Sequence, residues 1–291
     1  VTASSTLLIG DARIDRVVDL ARFTIDLTHL FPSADSRALD ADRHWLEPEF
    51  MRGDELALSI HSTVIRLDGR VILVDACVGE HKPRPKHPAW DARQGTAYLA
   101  GLAALGLTRA DVDIVFCTHL HADHIGWNTV LEDGRWVPTF PNARYLIGRS
   151  ELTHWQDAVA REPSHNHGSY HDSVLPVIQA GQVDLVDSDQ ETAHGLVVRA
   201  LPGHSVGQVG ISLERGGDHG VFAGDAIHHP AQLVRPDWSS RFCWDAALSR
   251  ATRQDLLAAA AERGSWIIPA HFIGRVGVKV RARGEGFELV G

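Results

Sequence analysis

The chain has 291 residues, 44% of them hydrophobic and 22% charged, with a formal net charge of −9. That length can bury a full core, and the acidic balance without a basic run argues against nucleic acid or an anionic membrane as partner. Three scattered cysteines exclude a disulfide framework and fit a reducing, cytoplasmic setting; residues 1–10 lack the basic start of a signal peptide, and no apolar stretch reaches membrane-spanning length.

Residues 1–50 give weak signals, with strand-like runs at Leu7–Ile9 and Val17–Leu20 and a loop from Thr28 to Arg43. They read as an N-terminal extension of a single domain covering 1–291. Leu56–Leu67 alternates as a strand does, Asp68-Gly69 is a turn, and Val71–Asp75 completes a hairpin. A long loop over 78–92 follows, then a helix over Thr96–Leu105 and a helical turn begun by Thr108 and Asp111. A short buried strand over 113–117 precedes a strand over Ala143–Ile147, a helix from a Ser150 cap to Arg161, and a polar, His-rich loop over 162–172. The second half repeats this logic, with strands at Leu196–Leu201, Val209–Leu213, Gly220–Ala223 and Trp266–Ile268. A helix spans Trp244–Arg263, and a final hairpin turns about Gly284.

Histidine is the compositional outlier, at eighteen residues. Four metal-competent side chains, His119, His121, Asp123 and His124, follow the apolar run Ile114–Cys117 directly. Open α/β sheets place their chemistry at such carboxyl strand ends. His119 and His121 are two apart and share a direction in extended backbone. Three later strand ends each offer one more ligand type: His204, Asp225 and His271. Five histidines and two aspartates exceed the roughly four ligands one zinc takes, and suit two ions with one bridging carboxylate. Imidazole and carboxylate without thiolate suit zinc, manganese, iron, cobalt or nickel rather than copper(I) or an iron–sulfur cluster, and zinc is the expected metal. Any one of these histidines alone would be an ordinary core or surface residue. The ordered set is what carries the signal.

The pattern His119-x-His121-x-Asp123-His124, then His204, Asp225 and His271, resembles the metallo-β-lactamase superfamily, and Asp75 fits that family's earlier strand-end aspartate. The resemblance implies a four-layer αβ/βα sandwich and two divalent ions. One ion would be held by His119, His121 and His204, the other by Asp123, His124 and His271, with Asp225 bridging. It further implies a bridging hydroxide that attacks a carbonyl or phosphoryl centre, with Asp123 carrying a proton to the leaving group.

Among branches, Gly224-Asp225-Ala-Ile-His228, the Trp244–Arg263 helix, Ala270-His271-Phe272 and the tail about Gly284 are similar to N-acyl homoserine lactonases and methyl parathion hydrolases. The expected function is therefore a lactonase or esterase acting on a small molecule. A phosphotriesterase or arylesterase is the alternative; a thioesterase or an iron sulfur dioxygenase stands behind it. His121 stands where a flavodiiron protein would carry Glu, and Asp225 disfavours β-lactam cleavage. Trp127, His228, Phe272 and Arg235 are the candidate substrate contacts. The histidines of the 162–172 loop read as solvated. Relatives that pair leave a homodimer as an expectation.

Overall fold

A computed structural model describes residues 6–192 and 195–290. The chain forms two compact units that interleave along the sequence: one takes residues up to 11, 20–59 and from 188 onward, the other 12–19 and 60–187. Two long strands, Ala12–Asp26 and Glu55–Leu67, contribute residues to both. Residues expected as an extension thus belong to both units. The stretch expected as loop over 28–43 is partly helical, with short turns at Leu27–Leu30, Ser36–Leu39 and Arg43–Leu46. Leu27, Leu30, Leu39 and Leu46 of these turns are buried with Phe31, Phe50 and Trp238 in one apolar cluster.

The unit built around 60–187 is organised on a mainly parallel sheet. Ile114–Cys117 is its inner strand, parallel to Arg70–Val74 on one side and to Arg144–Gly148 on the other. Glu55–Leu67 runs antiparallel to Arg70–Val74, and Val183–Val186 adds a parallel strand beyond Arg144–Gly148. The inner strand is a continuous apolar run because both of its faces are covered. Helices Tyr98–Ala104 and Arg149–Arg161 supply the crossovers that parallel pairing requires. The second helix starts one residue earlier than expected. Gly148 occupies its cap position, so Ser150 is not the cap. The Thr108–Asp111 turn is closed as a reciprocal capping box. A hairpin over Thr129–Glu132 and Arg135–Pro138, turning at Asp133-Gly134, has no counterpart among the expected elements.

The other unit carries a four-stranded sheet in chain order: Leu196–Ala200, Val209–Arg215, Asp218–Gly224 and Trp266–Pro269. The first two pairings are antiparallel and the last is parallel. Leu196–Ala200, Asp218–Gly224 and Trp266–Pro269 therefore all run the same way, and their carboxyl ends share one edge. Helix Ala246–Arg263, two residues shorter at its start than expected, is capped by Asp245, whose carboxylate accepts from the N–H groups of Ala247 and Leu248. Its Leu256, Leu257 and Ala260 pack with Leu201, Val221, Ile267 and Phe272 to form the core. The final hairpin is Lys279–Arg283 with Gly286–Val290. The fold is mixed α/β, with two principal β-sheets flanked by helices. Among the described residues no helix is long and apolar enough to cross a membrane.

Candidate metal centre

In the unit of the parallel sheet, the ligand motif starts where the inner strand stops. Parallel register sets Val74 opposite Phe116, so the residues that follow, Asp75 and Thr118, emerge side by side. Asp75 adopts φ 58°, which turns its carboxylate back across the strand ends. Its Oδ1 accepts from the Thr118 N–H at 2.8 Å, and its Oδ2 accepts from Thr118 Oγ1 and from His124 Nδ1–H, both at 2.9 Å. With its proton given to Asp75, Thr118 Oγ1 is left to accept from His119 Nδ1–H at 3.1 Å. One buried carboxylate thereby orients two histidines through Nδ1, which makes Nε2 of each the atom that can bind a cation.

The ligand atoms converge. His119 Nε2 lies 3.0 Å from His121 Nδ1. That is a separation two nitrogens can have when each is about 2.0–2.1 Å from one zinc ion. His121 sits in extended backbone just before the short helix Ala122–Ile125, which carries Asp123 and His124. The Asp123 carboxylate and His124 Nε2 are 3.7 Å apart, forming a second pair in the same unit.

In the other unit, the shared sheet edge delivers His204, Asp225 and His271, all at most 3% exposed. Asp225 faces two ways: its Oδ1 is 3.1 Å from His271 Nε2, and its Oδ2 is 3.3 Å from His204 Nε2 and 3.2 Å from His228 Nε2. His271 donates from Nδ1 to the Ser59 carbonyl at 3.0 Å, so its Nε2 is the atom that could bind a cation. His204 Nδ1 lies 3.7 Å from Cys243 Sγ, whose thiol donates to Ser249 Oγ at 3.3 Å. Burial pushes the Cys243 thiol up, so it remains protonated. Arg253 stands behind this edge, wholly buried. It donates to the carbonyls of Ala226 and Pro236 and to Ser239 Oγ, fixing the loop after Asp225; burial pulls its pKa down to about 10.

His228 and His229 have opposite fates. His229 donates from Nε2 to the Phe50 carbonyl at 2.7 Å and accepts at Nδ1 from the Ala231 N–H, and burial pushes it down to about 4. His228 is equally buried, yet neither ring nitrogen makes a hydrogen bond. Its ligand atom groups with those of His204 and Asp225 within 4.8 Å. A buried imidazole with two unsatisfied nitrogens is costly unless something else binds there, and this donor set fits a divalent cation or a polar substrate atom.

The remaining candidates have packing environments. Trp127 is 1% exposed and stacks on Tyr98 with centroids 4.9 Å apart. Phe272 is buried in the core of its unit. Arg235 pairs with Asp237 and lies over the Trp238 ring. The 162–172 segment is more ordered than a solvated loop. It folds into short helical turns, Asp172 is buried, and Arg84 grips its carboxylate through both terminal nitrogens at 2.7 and 2.9 Å. Thr118, Cys243 and Arg253, together with Glu151 and Asn166, which bond to the Leu120 backbone beside His121, support candidate ligands and have no ligand spacing that would single them out in sequence. All three cysteines are free.

Comparison with known proteins agrees with the fold. One solved structure is AidC, a dizinc quorum-quenching lactonase in complex with an N-hexanoyl-homoserine product. It superposes with a TM-score of 0.80 at 19% identity, covering 98% of this chain and 96% of that one. The hydrolase AbOPH of the β-lactamase superfamily gives 0.81 at 22% identity, covering 100% and 97%. A mutant of AiiA from B. thuringiensis, with N-decanoyl-L-homoserine bound at the active site, gives 0.62 at 16% identity, covering 91% and 94%. The family model described as metallo-beta-lactamase superfamily matches residues 57–271, a span that ends at the last candidate ligand, His271. The chain belongs to the metallo-β-lactamase superfamily.

Proposed function

We propose that this metal-dependent hydrolase of the metallo-β-lactamase superfamily opens the ring of acyl lactones at a dinuclear centre. In this reading His119, His121 and His204 would hold one ion and Asp123, His124 and His271 the other, and Asp225 would serve both. The observation that carries it is the two-faced carboxylate of Asp225, with one oxygen turned to His204 and the other to His271. Single-domain organisation is part of the same proposal, since neither unit is contiguous in sequence and the family match includes residues of both. Zinc is the first choice of metal, and a dizinc lactonase is among the structures of this fold.

Two divalent ions bound there would supply a hydroxide nucleophile near neutral pH and polarise the scissile carbonyl. The chain's own groups do the rest. His228, with its unsatisfied nitrogens beside Asp225, donates a hydrogen bond to the substrate carbonyl oxygen as charge builds on it. Asp123 carries the proton to the departing alkoxide. Apolar surface for an acyl chain is present beside His204. Phe242 and Trp244 are exposed, and the Trp244 N–H donates to the His204 carbonyl at 2.9 Å.

The test is hydrolysis by metal-loaded protein of acyl lactones, aryl esters, a phosphotriester and a thioester, with and without chelator. Chelator-sensitive lactone turnover well above the rest supports the reading. Faster phosphotriester or aryl-ester cleavage replaces it with the phosphotriesterase or arylesterase alternative. A panel silent in all arms, with oxygen uptake on a thiol persulfide, would replace it with a dioxygenase.

A further inference from the structure

We propose that Asn166 is a positioning residue for His121, so that the 162–172 segment belongs to the metal-binding apparatus although it supplies no ligand. The inference rests on the assignment of His121 as a ligand above.

Asn166 holds both peptide groups that flank His121. Its Nδ2 donates to the Leu120 carbonyl at 2.8 Å, and its Oδ1 accepts from the Ala122 N–H at 3.3 Å. The same amide is anchored by a bond from Nδ2 to Ser169 Oγ at 2.6 Å. From another direction the buried Glu151 carboxylate accepts from the Leu120 N–H at 3.0 Å and from Trp155 Nε1 at 2.6 Å. The Trp155 ring then meets the His121 ring edge to face at 5.6 Å. Two side chains and an indole thus fix the backbone and the ring of one ligand.

The geometry of His121 makes this matter. It presents Nδ1, not Nε2, toward His119. Nδ1 is bonded directly to the ring carbon that joins the side chain, so its position follows the backbone closely. A shift of the Leu120–Ala122 peptides passes straight to the ligand atom. The clamp is also kept at a conformational cost. Asn166 (φ 50°, ψ 45°), His167 (φ 60°, ψ 21°) and Gly168 (φ 73°) are three successive left-handed residues. Asparagine tolerates that region better than most residues, and such strain persists where the surroundings over-determine it.

The substitution that isolates the amide is Asn166→Gly. Glycine adopts φ 50° freely, so the turn is retained while the clamp is lost. In wild-type protein and N166G the measurements are metal stoichiometry, zinc affinity by chelator competition, the visible spectrum of the cobalt(II)-loaded protein, and amide exchange at Ala122. The expected result is an affinity weakened by about tenfold or more for one of two ions, a changed cobalt spectrum, and faster exchange at Ala122, with unchanged far-UV circular dichroism. Unchanged affinity and spectrum in N166G, beside a wild type that binds two ions, overturns the clamp and leaves the dinuclear reading intact. A wild type that takes up no metal overturns the dinuclear reading itself, and this inference with it.

Discussion

Replacing Asp75 by Asn should disarm two of the proposed metal ligands, His119 and His124, which Asp75 orients without belonging to the proposed set itself. The carboxylate accepts three hydrogen bonds: Thr118 N–H on Oδ1, and Thr118 Oγ1 and His124 Nδ1–H on Oδ2. An asparagine whose oxygen stays on the Thr118 N–H turns its NH2 toward the other two. His124 must then accept at Nδ1 and carry its proton on Nε2, where a cation would bind. Thr118 Oγ1 must accept from the amide, which frees its own proton to point at His119 Nδ1 and inverts that tautomer as well. Loss of a carboxylate that orients a ligating histidine typically costs about 10- to 100-fold in metal affinity, or roughly 1.4–2.7 kcal/mol, and here two histidines are affected. Chelator competition on D75N should therefore show both ions weakened by at least about tenfold. Thr118→Val, which removes the hydroxyl between Asp75 and His119 but keeps the Asp75–His124 bond, should weaken one ion alone. Wild-type affinity in D75N at native fold content would refute the tautomer argument.

Asp123→Asn should lower kcat by about 100-fold or more at full metal occupancy with KM little changed, as expected for a proton carrier; unchanged kcat in metal-replete D123N removes that role. Lys82 is wholly buried, donates to Thr129 Oγ1 and the Asp172 carbonyl, lies over the Trp136 ring, and faces Asp172 and Arg84. Burial pushes its pKa down to about 7 from the ordinary 10.5, with Asp172 opposing and Arg84 adding to the shift. Between those values the unfolded chain binds more protons than the folded one, so this group's penalty is full below pH 7 and is relieved as pH rises. Denaturant unfolding should accordingly show wild type gaining stability relative to Lys82→Met between about pH 6 and 9, whereas a pH-independent difference would place the lysine's titration elsewhere. Gly203→Ala should destabilise by at least about 3 kcal/mol or prevent folding, because φ is +121° and an added Cβ would lie 2.2 Å from the Ser249 nitrogen. A Gly203→Ala protein with wild-type thermal stability would show that the loop before His204 can move away from the helix.

By itself the sequence marked the candidate ligands and the strand ends from which they project. His119 to His124, His204, Asp225 and His271 stand directly after or within a few residues of apolar runs, and strand periodicity is a local property that survives in one dimension. The same holds for the hairpin at Asp68-Gly69 and for helix Ala246–Arg263, whose apolar stripe repeats at helical spacing. What only the tertiary structure decided is how those ligands are held. The bonds from Asp75 to Thr118 and His124 cross 43 and 49 residues, and that from Asn166 to Leu120 crosses 46. No local pattern marks such partners, because their role depends on parallel register and on loops packed against one another. Hydrogen bonding sorted the ambiguous residues in the same way: His228 and His229 are adjacent and both buried, yet His229 has a hydrogen bond at each ring nitrogen and His228 at neither. Trp127 sits close to the ligands in sequence and is stacked in the core. Ligand chemistry is written in residue type and spacing, whereas orientation, tautomer and access are set by contacts between segments distant in the chain.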